Sequence, residues 1–154
     1  MKEIWQDESV IARAQILARS LKHWTGCDLL PGKLSAAEFS EKLFHAPFVQ
    51  VSHGTETDPI LNYGNAAALL LWDMSWDELT LTPSRLTAEA PNREERARLL
   101  AMVAARGFID DYSGIRISKT GRRFEISRAT VWNLISEDGR PCGQAAMFTQ
   151  WKFL

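Results

Sequence analysis

His53, Glu56 and Asp58 lie within a few residues of one another, just after an apolar, β-prone run. Imidazole and carboxylates both ligate metals and move protons. The trio therefore offers either a metal site or an acid–base pair of His53 with Asp58 or Glu56. Its spacing matches no established ligand pattern, and Gly54 and Pro59 make the segment a turn. In such a turn the side chains of Thr55, Thr57 and Asp58 bond the local backbone. His23 and Cys27 are four positions apart and could share a helix face, but a structural zinc site takes four ligands. Cys142 follows Pro141, close to Arg140, a cation that favours the reactive thiolate and so a redox switch. The alternative is a small buried apolar residue.

Arg128 raises a different question. Strict alternation along residues 122–136 places Phe124, Ile126, Arg128, Thr130, Trp132 and Leu134 on one face, the side expected to meet the core. A guanidinium in that row is costly to bury alone. A β-bulge would flip the phase, the strand end could run past the core, or Arg128 could meet an anion. That anion would be Asp110, Asp111, Glu125 or a ligand carboxylate. Trp72, Trp132 and Trp151 fall on ordered elements and are read as core.

These side chains must be positioned by a chain of 154 residues with a net charge of −1, long enough for one domain with its own core. That charge gives no general pull towards nucleic acid or an acidic membrane surface. No apolar run reaches the ~20 residues of a membrane span, and the N-terminus has no apolar signal core. With two cysteines, Cys27 and Cys142, a disulfide scaffold is not expected and a reducing cytoplasm is the natural compartment.

Val10, Ala14, Leu17, Leu21 and Trp24 recur at helical steps until Gly26. They predict an amphipathic helix that packs on its own domain or on a second copy. Ser35 and Glu38 have capping-box spacing at the start of a second helix, which Pro47 stops. Residues 1–46 thus read as a helical extension and residues 47–154 as the domain proper. Phe48 to Val51 and Ile60 to Tyr63 are short strands, and Asn65 caps a helix from Ala66 to Trp72. Ser75 and Glu78 repeat the capping-box spacing. Asn92 is read as the cap of a helix whose Leu99, Leu100, Val103 and Ala104 form one face while Arg93, Arg96 and Arg106 stay wet. Gly107 ends it. The last third is β: 108–118, 122–136, an Asp138-Gly139 hairpin turn, and 143–153. Two strands, a helical middle and three hairpin-linked strands make an α+β domain with an antiparallel sheet.

The segments SHGTETDPILNYGNAAALLLW, PSRLTAEAPNREERARLL, IDDYSGIRIS and VWNLISEDGRPCGQAAMF resemble the MEKHLA domain, a PAS-like module, over roughly residues 47–151. The resemblance implies a five-stranded antiparallel sheet with helices on one face and an N-terminal helical extension. No cysteine motif of the flavin-binding branch occurs in the middle segment, and no histidine of the haem-binding kind lies on the central helices, so the cofactor is left open. By analogy with that fold together with strand phase, the walls of a cavity between sheet and helices would include Trp72, Leu86, Tyr112, Ile126, Trp132, Gln144 and Met147. Arg85, Arg116 and Arg128 would add polar contacts. The resemblance implies a non-catalytic sensory or interaction module. It would take a small organic ligand or a partner protein in the sheet concavity and relay this through flanking helices, with a homodimer or a signalling protein as the receiver. The alternatives are a small enzyme using His53 with a carboxylate, and a dimerisation module whose cavity is filled by Trp132 and its neighbours.

Overall fold

A computed structural model describes residues 2–154. A 3-10 turn at Ile4–Gln6 leads into α1 (Glu8–Thr25) and α2 (Ala36–Phe44), followed by β1 (Val49–His53), β2 (Leu61–Gly64), α3 (Ala66–Trp72) and α4 (Trp76–Leu79). A second 3-10 turn, Ser84–Thr87, precedes α5 (Ala90–Arg106), β3 (Phe108–Ile117), β4 (Arg123–Ile135), β5 (Pro141–Phe148) and β6 (Gln150–Phe153). All strand pairs are antiparallel, in the order β2-β1-β5-β4-β3, with β6 beside the first part of β4.

Local chemistry sets most of the boundaries. Asp7 caps α1 by accepting from Ser9 N, and Gly26 closes it in the left-handed conformation at φ 74°, which glycine adopts without a Cβ penalty. The boxes Ser35/Glu38 and Ser75/Glu78 are both formed. Two boundaries differ from the sequence reading. Helix α5 begins at Ala90 with Glu89 as its N-cap, not at Asn92. Pro91 sits in its first turn, where a missing N–H loses nothing because no intrahelical acceptor faces it. The last predicted strand is divided at Thr149 into β5 and β6.

The sheet is buried on both faces. On one side α3 and α5 pack Ala68, Leu71, Trp72, Leu99 and Val103 against Val49, Phe124, Ile126, Ala129, Val131 and Phe148. On the other, α1 lays Val10, Ala14, Leu17 and Leu21 across Trp132, Leu134 and Ala145. The apolar stripe of α1 is thus buried on its own domain, which stabilises by about 1.5–3 kcal/mol per fully buried aliphatic side chain. Polar contacts fix its register. The Trp132 Nε1 donates to Leu17 O at 3.2 Å, Trp24 Nε1 donates to Asn133 O at 3.0 Å, and Ile135 N donates to Ser20 Oγ at 2.9 Å.

Strand β4 does not alternate strictly. Ile126 pairs with Gly114 but Ala129 pairs with Tyr112, so β4 carries one more residue than β3 between the two pairs. The extra residue is accommodated at Arg128, whose φ is 53° and whose side chain is exposed. Of the three resolutions for a guanidinium in the core row, the bulge is the one the chain adopts. Phe124 and Ile126 face α3 and α5 before it; Ala129 and Val131 do so after it. Trp132 and Leu134 consequently turn to α1. On the other edge of β4 the partner changes from β6 to β5 across the same point, with Ser127 paired to Gln150 and Thr130 to Met147.

Candidate functional site

Between the sheet and α5 lies a cavity of about 70 Å³. Its floor comes from inward-facing positions of four strands: Val51 and His53 of β1, Gln144, Ala146 and Phe148 of β5, Ile126 and Val131 of β4, and Tyr112 and Arg116 of β3. Its roof is Arg96, Leu99 and Leu100 of α5, with Trp72 at the end of α3 and Thr87 from the 3-10 turn before α5. The wall is mainly apolar, with a few polar groups converging on it, the usual make-up of a small-molecule site.

Strand β3 builds one polar corner. Tyr112, Gly114 and Arg116 share a face at a spacing of two. A Cβ on Gly114 would collide with the Tyr112 hydroxyl and stand 3.1 Å from Arg116 Nη1. Glycine there lets both side chains pass across the strand. The Arg116 guanidinium lies 5.4 Å from the Tyr112 ring centroid and donates from Nη1 to Ile115 O at 2.9 Å. The Tyr112 hydroxyl donates to Glu95 Oε2 at 3.0 Å. Burial raises the Tyr112 pKa above its ordinary value.

Arg96 enters from α5 and donates from Nη2 to Ser84 Oγ at 2.7 Å. Burial and then the Arg116 charge bring its pKa down to about 10. The two arginines thus sit in mutual repulsion. His53 faces the same space. Its Nδ1 is 3.0 Å from Gly54 O, which makes Nδ1 the protonated nitrogen, and its Nε2 is buried without a partner. Desolvation lowers the His53 pKa, keeping the ring neutral at pH 7. The Trp72 Nε1 is likewise buried and unpartnered. Gln144 donates to Leu100 O at 3.0 Å and to Asn133 Oδ1 at 3.1 Å, tying β5 to α5 and β4.

Of the ten expected wall residues, Trp72, Tyr112, Arg116, Ile126 and Gln144 line this cavity. The other five lie elsewhere. Trp132 is fully buried beneath α1, and Met147 packs in that same outer core, because each sits one step out of phase with the cavity-facing residues beside it. Trp132 therefore does not fill the cavity, and the filled-core alternative loses its principal residue. Arg128 is turned outward by the bulge. Arg85 pairs with Asp58 at 3.2 Å on the surface, and Leu86 is 42% exposed. Arg96, expected to stay in solvent, is a cavity residue: it stands three positions before Leu99, on the stripe that α5 turns to the sheet. Val51, Thr87, Leu99, Leu100, Val131, Ala146 and Phe148 are further walls that sequence reasoning did not single out. The alternation of Val49, Val51 and His53 is the signal that could have found the β1 contribution.

The acid–base pair is not assembled. Asp58 is held by Arg85, and Glu56 Oε1 accepts from Ile60 N at 3.2 Å. No carboxylate is hydrogen-bonded to His53 among the described residues. No cluster of three metal-ligating side chains occurs among them either. Cys27 is exposed and Cys142 half-buried, and burial raises the Cys142 pKa, opposite to what thiolate chemistry at that position needs.

The MEKHLA domain model matches residues 11–153, nearly the whole chain and most of α1. The chain belongs to the MEKHLA domain family. Two homeobox-leucine zipper HOX32 proteins, from Oryza sativa subsp. japonica and subsp. indica, are each 23% identical over 143 residues, which are 92% of this chain and 16% of theirs. This MEKHLA chain thus spans about a sixth of the curated relatives it matches. Among solved structures, a PAS domain from Colwellia psychrerythraea superposes with a TM-score of 0.62 at 12% identity, covering 75% of this chain and 92% of that one. A light-oxygen-voltage domain studied with a flavin analogue gives 0.59 at 14% identity, covering 75% and 83%. The light-state dimer of the fungal blue-light photoreceptor Vivid gives 0.55 at 12%, covering 84% and 88%. The fold is PAS-like, as the sequence resemblance implied. A flavin or a haem does not fit the cavity: about 70 Å³ is far below the ~300–1,000 Å³ of cofactor-sized pockets.

Proposed function

We propose that this MEKHLA domain is a non-catalytic sensory module that takes a small organic ligand into the cavity and passes its occupancy to α1. The observation that carries the reading is the pair of buried, unpartnered polar atoms in the cavity residues His53 and Trp72. Buried polar groups are almost always satisfied; such atoms also occur on Arg13, Gln50 and Tyr63 away from the cavity, but only at His53 and Trp72 would a ligand, with a small turn of either ring, supply the partner. The relay would follow from strand alternation. Val131 and Ala146 pair across β4 and β5 on the cavity side, while Trp132 and Met147, their chain neighbours, join the core beneath α1. A ligand that favours one spacing of these strands would shift the balance between two seatings of α1. A partner protein, or a second copy of the chain, would read that change. The helix is the element offered for this, because its apolar face is held on the domain and becomes available only when it shifts.

Native mass spectrometry of the freshly purified protein, followed by denaturing extraction, tests the reading. A stoichiometric adduct lost on denaturation is expected. Hydrogen exchange in α1 should also change when the adduct is removed and restored. The reading fails if no adduct is found and Ala146→Leu, which fills the cavity, raises stability without changing exchange in α1.

A further inference from the structure

Arg96 and Arg116 are cations placed in the cavity wall with no anion to answer them. Their hydrogen bonds go to neutral acceptors, the Ser84 hydroxyl and the Ile115 carbonyl. Neither takes part in an ion pair among the described residues, where the pairs found join other side chains. No aspartate or glutamate among the described residues lines the cavity. The near acids are engaged elsewhere, Glu95 with the Tyr112 hydroxyl and Glu56 with the Ile60 amide. Arg116 is only 6% exposed, so water does little to screen it. Arg96 is half-buried in the same wall, and two guanidinium groups sharing it without a counter-charge are unfavourable in the empty protein. An arriving anion would remove that penalty and accept the planar N–H forks that guanidinium groups present.

Size and polarity narrow the anion. A cavity of about 70 Å³ holds on the order of five waters, which excludes nucleotides and other large phosphate esters. Much of the wall is hydrocarbon: Val51, Ile126, Val131 and Phe148 among others. Inorganic phosphate would set unpaired oxygens against that wall, a costly arrangement.

We propose that the ligand is a short-chain organic carboxylate, its carboxylate held between Arg96 and Arg116 and its hydrocarbon part against the apolar wall. This rests on the cavity being a ligand site, as proposed above.

The test uses the full chain, isothermal titration calorimetry and thermal unfolding. The probes are propionate, butyrate, pyruvate and succinate, their neutral counterparts propionamide and butyramide, and inorganic phosphate. At least one carboxylate is expected to bind one-to-one, with the matched amide weaker by about 10-fold or more, the worth of a charge-assisted hydrogen bond. Arg96→Gln and Arg116→Gln should each weaken the carboxylate by about 10- to 100-fold. Both variants should keep a cooperative melt without ligand, since each removes a like-charge repulsion along with the contact to Ser84 or to the Tyr112 ring. Amides or phosphate binding as well as carboxylates would overturn the carboxylate assignment while leaving the cavity a ligand site. So would variants that keep full affinity, since the arginines would then be structural. The absence of binding by every probe would also overturn it, and the native mass-spectrometric adduct then shows separately whether the sensory reading falls too. The amide comparison needs no variant and stands if one fails to fold.

Discussion

Arg128 occupies a left-handed backbone conformation, φ 53°, in the middle of a long strand. For an L-residue this costs about 1–2 kcal/mol through contact of its Cβ with the neighbouring carbonyl. The Arg128 side chain is exposed and makes no ion pair among the described residues, so replacing it forfeits little by way of contacts, within about 0.5 kcal/mol. Arg128→Gly removes the Cβ penalty and loses about 0.5–1 kcal/mol through the greater freedom of the unfolded chain. The expected net gain is about 0.5–1 kcal/mol. Arg128→Val puts a β-branched residue where such residues are rarely tolerated and should cost about 1–3 kcal/mol. The order of stability is therefore Gly, Arg, Val, the reverse of β-propensity at the lower end. Urea unfolding followed by tryptophan fluorescence reads it, with unchanged slopes showing that the unfolding surface is the same. If the Arg128→Val variant proves as stable as the parent, the bulge is not imposed by the packing on the two faces, and the account of how Trp132 comes to lie under α1 fails.

Further outcomes follow from the buried polar groups. The His53 pKa is below its ordinary value of about 6.5 in the folded protein, from desolvation first and then from the charge of Arg96, with the Gly54 carbonyl bond and, more weakly, Glu56 opposing. The unfolded chain therefore binds the proton first as pH falls. Stability should be full above about pH 6.5 and decline below it by up to about 1.4 kcal/mol per pH unit, a decline that His53→Gln should flatten in a pH series of urea midpoints. Exposed carboxylates with lowered values, such as Asp7 and Glu38, act in a separate window below about pH 4.5. Fully buried Asn65 accepts from Gln50 N and Ala68 N, each at 3.1 Å, and donates to Leu43 O at 3.2 Å and Phe48 O at 2.8 Å. Asn65→Ala should cost about 3 kcal/mol or more by stranding those groups, and Asn65→Asp still more, because a carboxylate cannot donate to the two carbonyls; equilibrium unfolding checks both. Gly143 has φ 138° and no room for a Cβ, which would strike the His53 carbonyl. Gly143→Ala should loosen the pairing of β5 with β1, seen as faster amide exchange at His53 and Gln144.

Much of the fold was legible because its signals are local. Val10, Ala14, Leu17 and Leu21 mark a helix face by spacing alone. The Ser35/Glu38 and Ser75/Glu78 boxes, the Asn65 cap and the Asp138-Gly139 turn each settle a boundary within a few residues of chain. The motif-rich segments between Ser52 and Phe148 carried the family. The start of α5 was missed because Asn92 is a good cap by type, while Pro91 is equally good inside a first turn and Glu89 took the cap.

What the sequence determined by itself, then, was the set of elements, their order and the apolar face that each periodicity asks to bury. Tertiary structure decided which face met which partner. Strand alternation is a phase, and one extra residue at Arg128 reverses it for everything downstream. That residue sits where β4 pairs with β3 on one edge and passes from β6 to β5 on the other, with a different core on each face, a constraint between segments that no local pattern records. The same holds for the cavity. Arg96 and Arg116 are twenty positions apart; the family resemblance offered Arg116 as a polar wall residue, while Arg96 reads as an ordinary surface cation. Only the docking of α5 over the sheet brings them into the wall of one cavity, which no carboxylate among the described residues lines.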